Sequence, residues 1–196
     1  MAGNPERRAA LVDAGVELLA REGARGLTFR AVDAEAGVPV GTASNYFTDR
    51  EDLLRQIDAR LHARLAPDPE VLAGLLARPK DRSLVTAFMH DLMGRATRDR
   101  TGYLALLEMR LEASRRPELR ASFTKSVRGD LDEALAFHRS AGLPGGDEVV
   151  TVLYLAMLGL LLEHLTLPDV LDGVLPGVSV PDGLVERITA TVVPEA

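Results

Sequence analysis

The chain has 196 residues, 46% apolar and 27% charged, the balance of a globular protein long enough to bury its own core. It contains no cysteine, which excludes disulfides, cysteine nucleophiles and thiolate metal sites. The net charge is −6, with residues 1–66 at −1 and residues 67–196 at −5, so charge alone does not advertise a nucleic-acid partner.

The first residues do not read as a secretory leader. The longest apolar run, Val149 to Leu162, is 14 residues, short of the roughly 18–20 of a membrane span. The expectation is a cytoplasmic protein with no membrane partner. Formal positive charge is almost entirely arginine, the lysines being Lys80 and Lys125. Arginine is the better residue for planar contacts with phosphates and base edges.

In chain order the sequence reads as helices, an all-α fold. Asn4 can cap a first helix, with Pro5 at its first position and a stripe of Leu11, Val12, Val16, Leu18 and Leu19; Gly23 ends it. A short second helix starts at the cap Thr28, with Leu27 and Val32 at hydrophobic-staple positions, and ends at Gly37. After the Val38-Pro39 turn, a third helix is expected from about Val40 to Phe47. Thr48-Asp49-Arg50-Glu51 reads as a capping box opening a fourth helix, which reaches about Leu65.

Pro67 and Pro69 stop that helix and set the expected domain boundary, 1–66 against 67–196. Longer helices follow at 81–98, 102–115 and Pro117 to about Ser140, broken by Gly142, Pro144, Gly145 and Gly146. Asp147 can cap an almost wholly apolar helix at about 148–165. A loop with Pro168, Pro176 and Pro181 leads to a last amphipathic helix carrying Leu184, Val185, Ile188 and Val192.

The informative segment is 27–54. Two short helices around a Gly-containing turn, with another helix before them, describe a helix-turn-helix at about 28–47. A short helix fits the major groove, and its polar side chains can reach base edges. The segment resembles the DNA-binding domain of the tetracycline-repressor (TetR) family of bacterial regulators. The resemblance is carried by Leu27-Thr28, Ala34, Ala36-Gly37-Val38, Gly41-Thr42, Tyr46-Phe47 and Glu51-Asp52-Leu53-Leu54, at the right spacing from Gly23.

The resemblance implies a DNA-binding transcriptional regulator, a repressor of a palindromic operator on double-stranded DNA, released by a small-molecule inducer. The second domain would be a helical bundle for ligand binding and homodimerisation. It implies DNA-binding roles for Thr28, Arg30, Val40, Gly41, Thr42, Ser44, Asn45, Tyr46 and Arg50. Thr28, Tyr46 and Arg50 would meet the phosphate backbone, and Arg30 a base edge.

Pro39-Val40 stand where the family usually has Ser-Lys, removing a capping hydroxyl and a cation. Ala43-Ser44-Asn45 stand where it has Leu-Tyr-His. Weight therefore moves to Arg30, Thr42 and Asn45, since arginine pairs bidentately with guanine and asparagine with adenine.

The apolar helix at 149–162, covered by nothing polar, is expected to lie in a two-fold four-helix interface with the last helix. Candidate ligand contacts are Met89, Met93, Tyr103, Met109, Arg110, Phe123, Phe137 and Met157. Methionines make adaptable walls, although such a stripe is also ordinary core. The histidines, His62, His90, His138 and His164, are scattered, and no phosphate loop or nucleophile elbow is present. No enzyme activity, metal or cofactor is expected. The rival reading is a helical ligand-binding or scaffold protein with a degenerate helix-turn-helix.

Overall fold

A computed structural model describes residues 4–195, in which ten α-helices and one 3-10 turn occur and no strand. The helices are α1 (Pro5–Gly26), α2 (Phe29–Glu35), α3 (Ala43–Tyr46), α4 (Arg50–Leu65), α5 (Pro69–Leu76), α6 (Arg82–Arg98), α7 (Arg100–Arg115), α8 (Pro117–Ser140), α9 (Asp147–Thr166) and α10 (Asp182–Val192). Packing divides the described chain into two compact units, one of residues 4–66 with 99–127, the other of residues 67–98 with 128–195.

The first unit is organised by α1, which packs against α2, α4 and α7. Asn4 caps α1 as its sequence implies, accepting from the Glu6 amide at 2.9 Å. The helical path breaks at Gly23, whose φ of +68° suits only glycine; one further turn, 24–26, follows. Leu11, Leu19, Leu27, Leu53, Leu54, Ile57, Leu61 and Met109 are all fully buried. Each stabilises the unit by about 1.5–3 kcal/mol of apolar transfer.

Residues 99–127 join this core through Ala105, Met109, Ala113, Leu119 and Phe123. The prolines after α4 break the helix without ending the packing, because the apolar face of α7 finds its cover on α1 and α4. Asp99 joins the two ends polarly. It caps α7 by accepting from the Gly102 amide at 2.9 Å, and it takes a bidentate pair from Arg64 at 2.6 and 2.8 Å.

In the second unit α6, α9 and α10 pack together, with α5 on α6. Leu84, Val85, Leu143, Val149, Leu153 and Val193 are buried among them. Arg82 Nε donates to the Val193 carbonyl at 2.8 Å, and the Thr86 and Thr189 hydroxyls meet at 2.9 Å.

Several local expectations change. The cap of α4 is Asp49, whose carboxylate accepts from the Asp52 amide at 2.7 Å. Asp52 in turn accepts from the Thr48 amide at 3.1 Å. The cap therefore lies one residue on from the Thr48-to-Glu51 reading, because aspartate caps at least as well as threonine, and the returning carboxylate takes the amide before the cap in place of the cap's own.

The cap of α9 is Gly146, and Asp147 is its first helical residue, where its charge suits the helix dipole. The α5 helix gives no clear signal in the sequence because Pro67 and Pro69 look like breakers; Pro69 is in fact its first residue, with Asp68 as cap. At 20 residues, α9 is long and apolar enough to cross a membrane by length and composition, longer than its apolar run suggests.

Candidate nucleic-acid interface

Thr28 caps α2 as expected, its Oγ1 accepting from the Ala31 amide at 3.2 Å. Leu27 and Val32 are buried beside it. Arg30 points into solvent from the first turn of α2. The turn between α2 and α3 passes through Gly37 at φ +65° and Gly41 at φ +93°.

The recognition helix is shorter than the sequence suggests, a single turn from Ala43 to Tyr46. Thr42 stands at its cap position without a capping side-chain bond. The missing acceptor is supplied from α2. The Asp33 carboxylate, 1% exposed, takes the Gly41 amide at 2.7 Å and the Ala43 amide at 2.6 Å. Asp33 was not singled out from the sequence. A lone aspartate on a short helix gives no sign that it is buried; the absent hydroxyl at Pro39 was the available clue.

The α3 side chains are short and turned partly onto their own backbone. Thr42 donates to the Pro39 carbonyl, Ser44 to the Gly41 carbonyl at 2.8 Å, and Asn45 to the same carbonyl at 3.1 Å. Val40 is 78% exposed, and Ser44 and Asn45 are exposed beside it. The Tyr46 ring lies under the Arg8 guanidinium at 5.5 Å, and Arg8 also donates to Gln56 at 3.0 Å.

Arg50 is placed differently from the phosphate-contact expectation. Its guanidinium turns inward, donating to the Leu27 carbonyl at 3.3 Å, to the Ala24 carbonyl, and to Glu112 of α7 at 3.0 Å. Glu112 also takes Arg116 Nε at 2.6 Å, and Arg116 reaches Glu51. These contacts tie the α1–α2 corner, the start of α4 and the end of α7 together.

The eight ligand candidates fall four to each unit. Tyr103, Met109 and Phe123 are buried in the first, and Arg110 stacks on Phe123 at 5.9 Å. In the second, Met93 and Met157 are buried, while Met89 and Phe137 are partly buried against its core. Phe137 meets Phe88 edge-on at 5.5 Å.

An exposed first-turn arginine, a glycine-bent turn and a short helix presenting small polar side chains define a helix-turn-helix DNA-binding protein. The sequence profile of bacterial regulatory proteins of the tetR family matches residues 11–57, and that of the tetracyclin repressor-like C-terminal domain matches residues 80–193. The chain belongs to the TetR family and is a DNA-binding transcriptional regulator, not an enzyme.

Among solved structures, it is similar to a TetR-family member from Streptomyces coelicolor A3 at 25% identity and TM-score 0.70, covering 97% of this chain and 99% of that one. The multidrug binding protein EbrR, complexed with proflavin, matches at 25% identity and TM-score 0.58, covering 95% and 99%. The fatty acid degradation regulator FadR from Bacillus halodurans shares the fold at 13% identity and TM-score 0.72, covering 98% and 97%. No curated protein matches the chain.

Proposed function

We propose that the protein is a cytoplasmic repressor that binds a palindromic operator as a homodimer and leaves it when a small, mostly apolar molecule binds. In this reading residues 1–66 grip DNA and residues 67–196 supply the pocket and the dimer contact. The observation that carries the DNA half is the placement of Arg30 and Asn45. Both side chains stand exposed on the two helices of the motif: Arg30 carries the donors for a guanine edge, and Asn45, one of whose amide hydrogens returns to the Gly41 carbonyl, keeps a second hydrogen and its oxygen for an adenine edge. Thr28, Gly41, Thr42 and Ser44 line the approach, Val40 offers an apolar contact to a thymine methyl, and Tyr46 packs beside the backbone.

The dimer reading is supported by α9. Leu155, Gly159 and Leu162 are exposed at helical spacing, Leu155 at 60%, forming an apolar stripe with Val152 beside it and Thr151 and Thr166 at its ends. A Cβ on Gly159 would meet nothing within 4 Å, so a second backbone can approach there. For the ligand, support comes from the methionine and phenylalanine content of the candidates and from EbrR, complexed with imidazole, ethidium and proflavin.

The test is selection from random duplexes, followed by affinity against single-base variants. A two-fold consensus is expected. Arg30→Ala should lose roughly 1–3 kcal/mol per half-site and relax one symmetric position. Equal weakening on every duplex, with wild-type preferences intact, removes Arg30 as a reader; no enrichment at all removes the operator reading.

A further inference from the structure

Next to Thr28 the first unit holds an open cleft of about 710 Å³. Its lining includes Leu27 and Phe29 and four arginines, Arg25, Arg50, Arg115 and Arg116. Two of these are spent internally. Arg50 and Arg116 both bond Glu112, and Arg116 also meets Glu51.

The other two are not. Arg115 keeps 65% of its side chain exposed, and its nearest carboxylate, Glu112, is 4.0 Å away and already doubly bonded. Arg25 is exposed and has no ion pair among the described residues. Among the residues that line the cleft, Glu112 is the one carboxylate beside four arginines; Glu51 reaches Arg116, and Glu22 and Glu108 lie against the neighbouring Gly26 and Gly23, so the cation left to the cleft is the exposed pair Arg25 and Arg115.

The occupant is chosen by continuity and by charge. The cleft contains Thr28, which opens the helix that displays Arg30, so it continues the DNA-binding face. That face is poor in cations: Pro39 through Tyr46 carries none, and Arg50 is turned inward. A duplex backbone is the polyanion that meets such a pair.

We infer that Arg25 and Arg115 hold operator phosphates, so that α7, outside the helix-turn-helix, contributes directly to DNA affinity. This rests on the operator reading above. Glu112 then has a positioning role: by bonding Arg50 and Arg116 it fixes the end of α7 beside the α1–α2 corner.

The experiment is a salt titration of affinity, from 50 to 200 mM (about the range over which phosphate contacts are read), on the duplex enriched from a random library. It compares wild type with Arg25→Ala, Arg115→Ala, the double variant and both Arg→Lys variants, each with a melting curve. Every Arg→Ala change, present twice in a dimer, should flatten the slope of log affinity against log salt by ~1.8. It should leave base preferences unchanged, and lysine should restore the slope.

A double variant with the wild-type slope overturns the inference. So does a loss that tracks a lowered melting temperature and is not restored by lysine. A parallel titration with inorganic phosphate at constant ionic strength separates the sources. Tight phosphate binding lost in the double variant, with the DNA slope unchanged, assigns the cleft to a free anion and also overturns the inference. Wild-type protein that binds no duplex overturns the operator reading itself, whereas wild-type binding with unaffected variants overturns this inference alone.

Discussion

The Asp33 carboxylate and the Ala43 amide, ten residues apart in sequence, meet at 2.6 Å in a buried setting, and this bond fixes the start of the recognition helix to the helix before it. A four-residue helix cannot hold itself, since nucleation costs more than one turn returns. Its orientation is therefore borrowed from α2. Hydrogen bonds to a buried charge are worth about 1.5–3 kcal/mol each. Asp33→Ala should lower stability by roughly 2–4 kcal/mol in denaturant unfolding, and should abolish operator binding while the protein is still folded. Binding that survives at the wild-type level would show that α3 is oriented by other contacts.

Arg50→Ala should act on stability first. Its guanidinium satisfies two buried-corner carbonyls and half of the Glu112 pairing, and side chains in such networks cost about 2–4 kcal/mol when truncated. The salt dependence of DNA binding should stay as in wild type. A flattened salt slope with an unchanged melting curve would return Arg50 to the backbone-contact role implied by its position in the sequence.

Placing a charge in the exposed stripe of α9 should separate the proposed dimer. Leu155→Glu or Gly159→Arg is expected to give a monomer of 21.1 kDa in light scattering at micromolar concentration, or insoluble protein. The operator affinity of a soluble monomer should fall steeply, because two half-sites are no longer held by one molecule. A wild-type monomer under the same conditions would leave the stripe without its proposed cover.

Two carboxylates of the first unit should respond to pH in opposite senses. Burial pushes the Asp58 carboxyl up, more than the neighbouring Ser126 and His62 pull it down. A raised carboxyl is a liability once charged, so its favourable contribution exists in acid and is lost as pH rises above the ordinary carboxylate range. For Asp99, burial acts upward, but the Arg64 pair and the Gly102 amide outweigh it and hold the carboxyl below its ordinary range. Its contribution is present above that range and is lost as pH falls through the lowered value. Asp58→Asn should raise the melting temperature at neutral pH and have no effect in acid. Asp99→Asn, which keeps a capping side chain, should lower it at neutral pH and converge with wild type in acid. Melting curves between about pH 3 and 8 read both.

What was legible in the sequence was local. Asn4-Pro5, Thr28 and Gly37 act within a few residues of themselves, so caps, turns and helix order follow from them, as does the helix-turn-helix motif. What was not legible depends on distance along the chain. Asp33 finds its amides eight and ten residues away, and Arg50 finds Glu112 sixty-two residues away. Neither carries a mark distinguishing an inward charge from a solvated one. For the same reason Pro67 and Pro69 looked like a boundary. They end α4 but say nothing of α7, which returns to the first core. The ligand candidates share apolar character, and that character does not separate cavity wall from packed interior, as the burial of Met109 and Phe123 in the first core illustrates.

From Pro39 to Tyr46 the reading segment carries no formal charge, and Val40 stands almost fully out in solvent. The consequence is one of search rather than of grip. A protein held to random DNA mainly by cations is slowed by every stretch of chromosome it meets, since that attraction is blind to sequence. Here the recognition turn itself adds no charge to that blind attraction, which is left to Arg30 on α2 and to the arginines proposed to meet phosphates outside the turn, so the side chains of α3 act on base preference alone. Occupancy in a cell follows the ratio of right-site to blind binding across a whole genome of competitors.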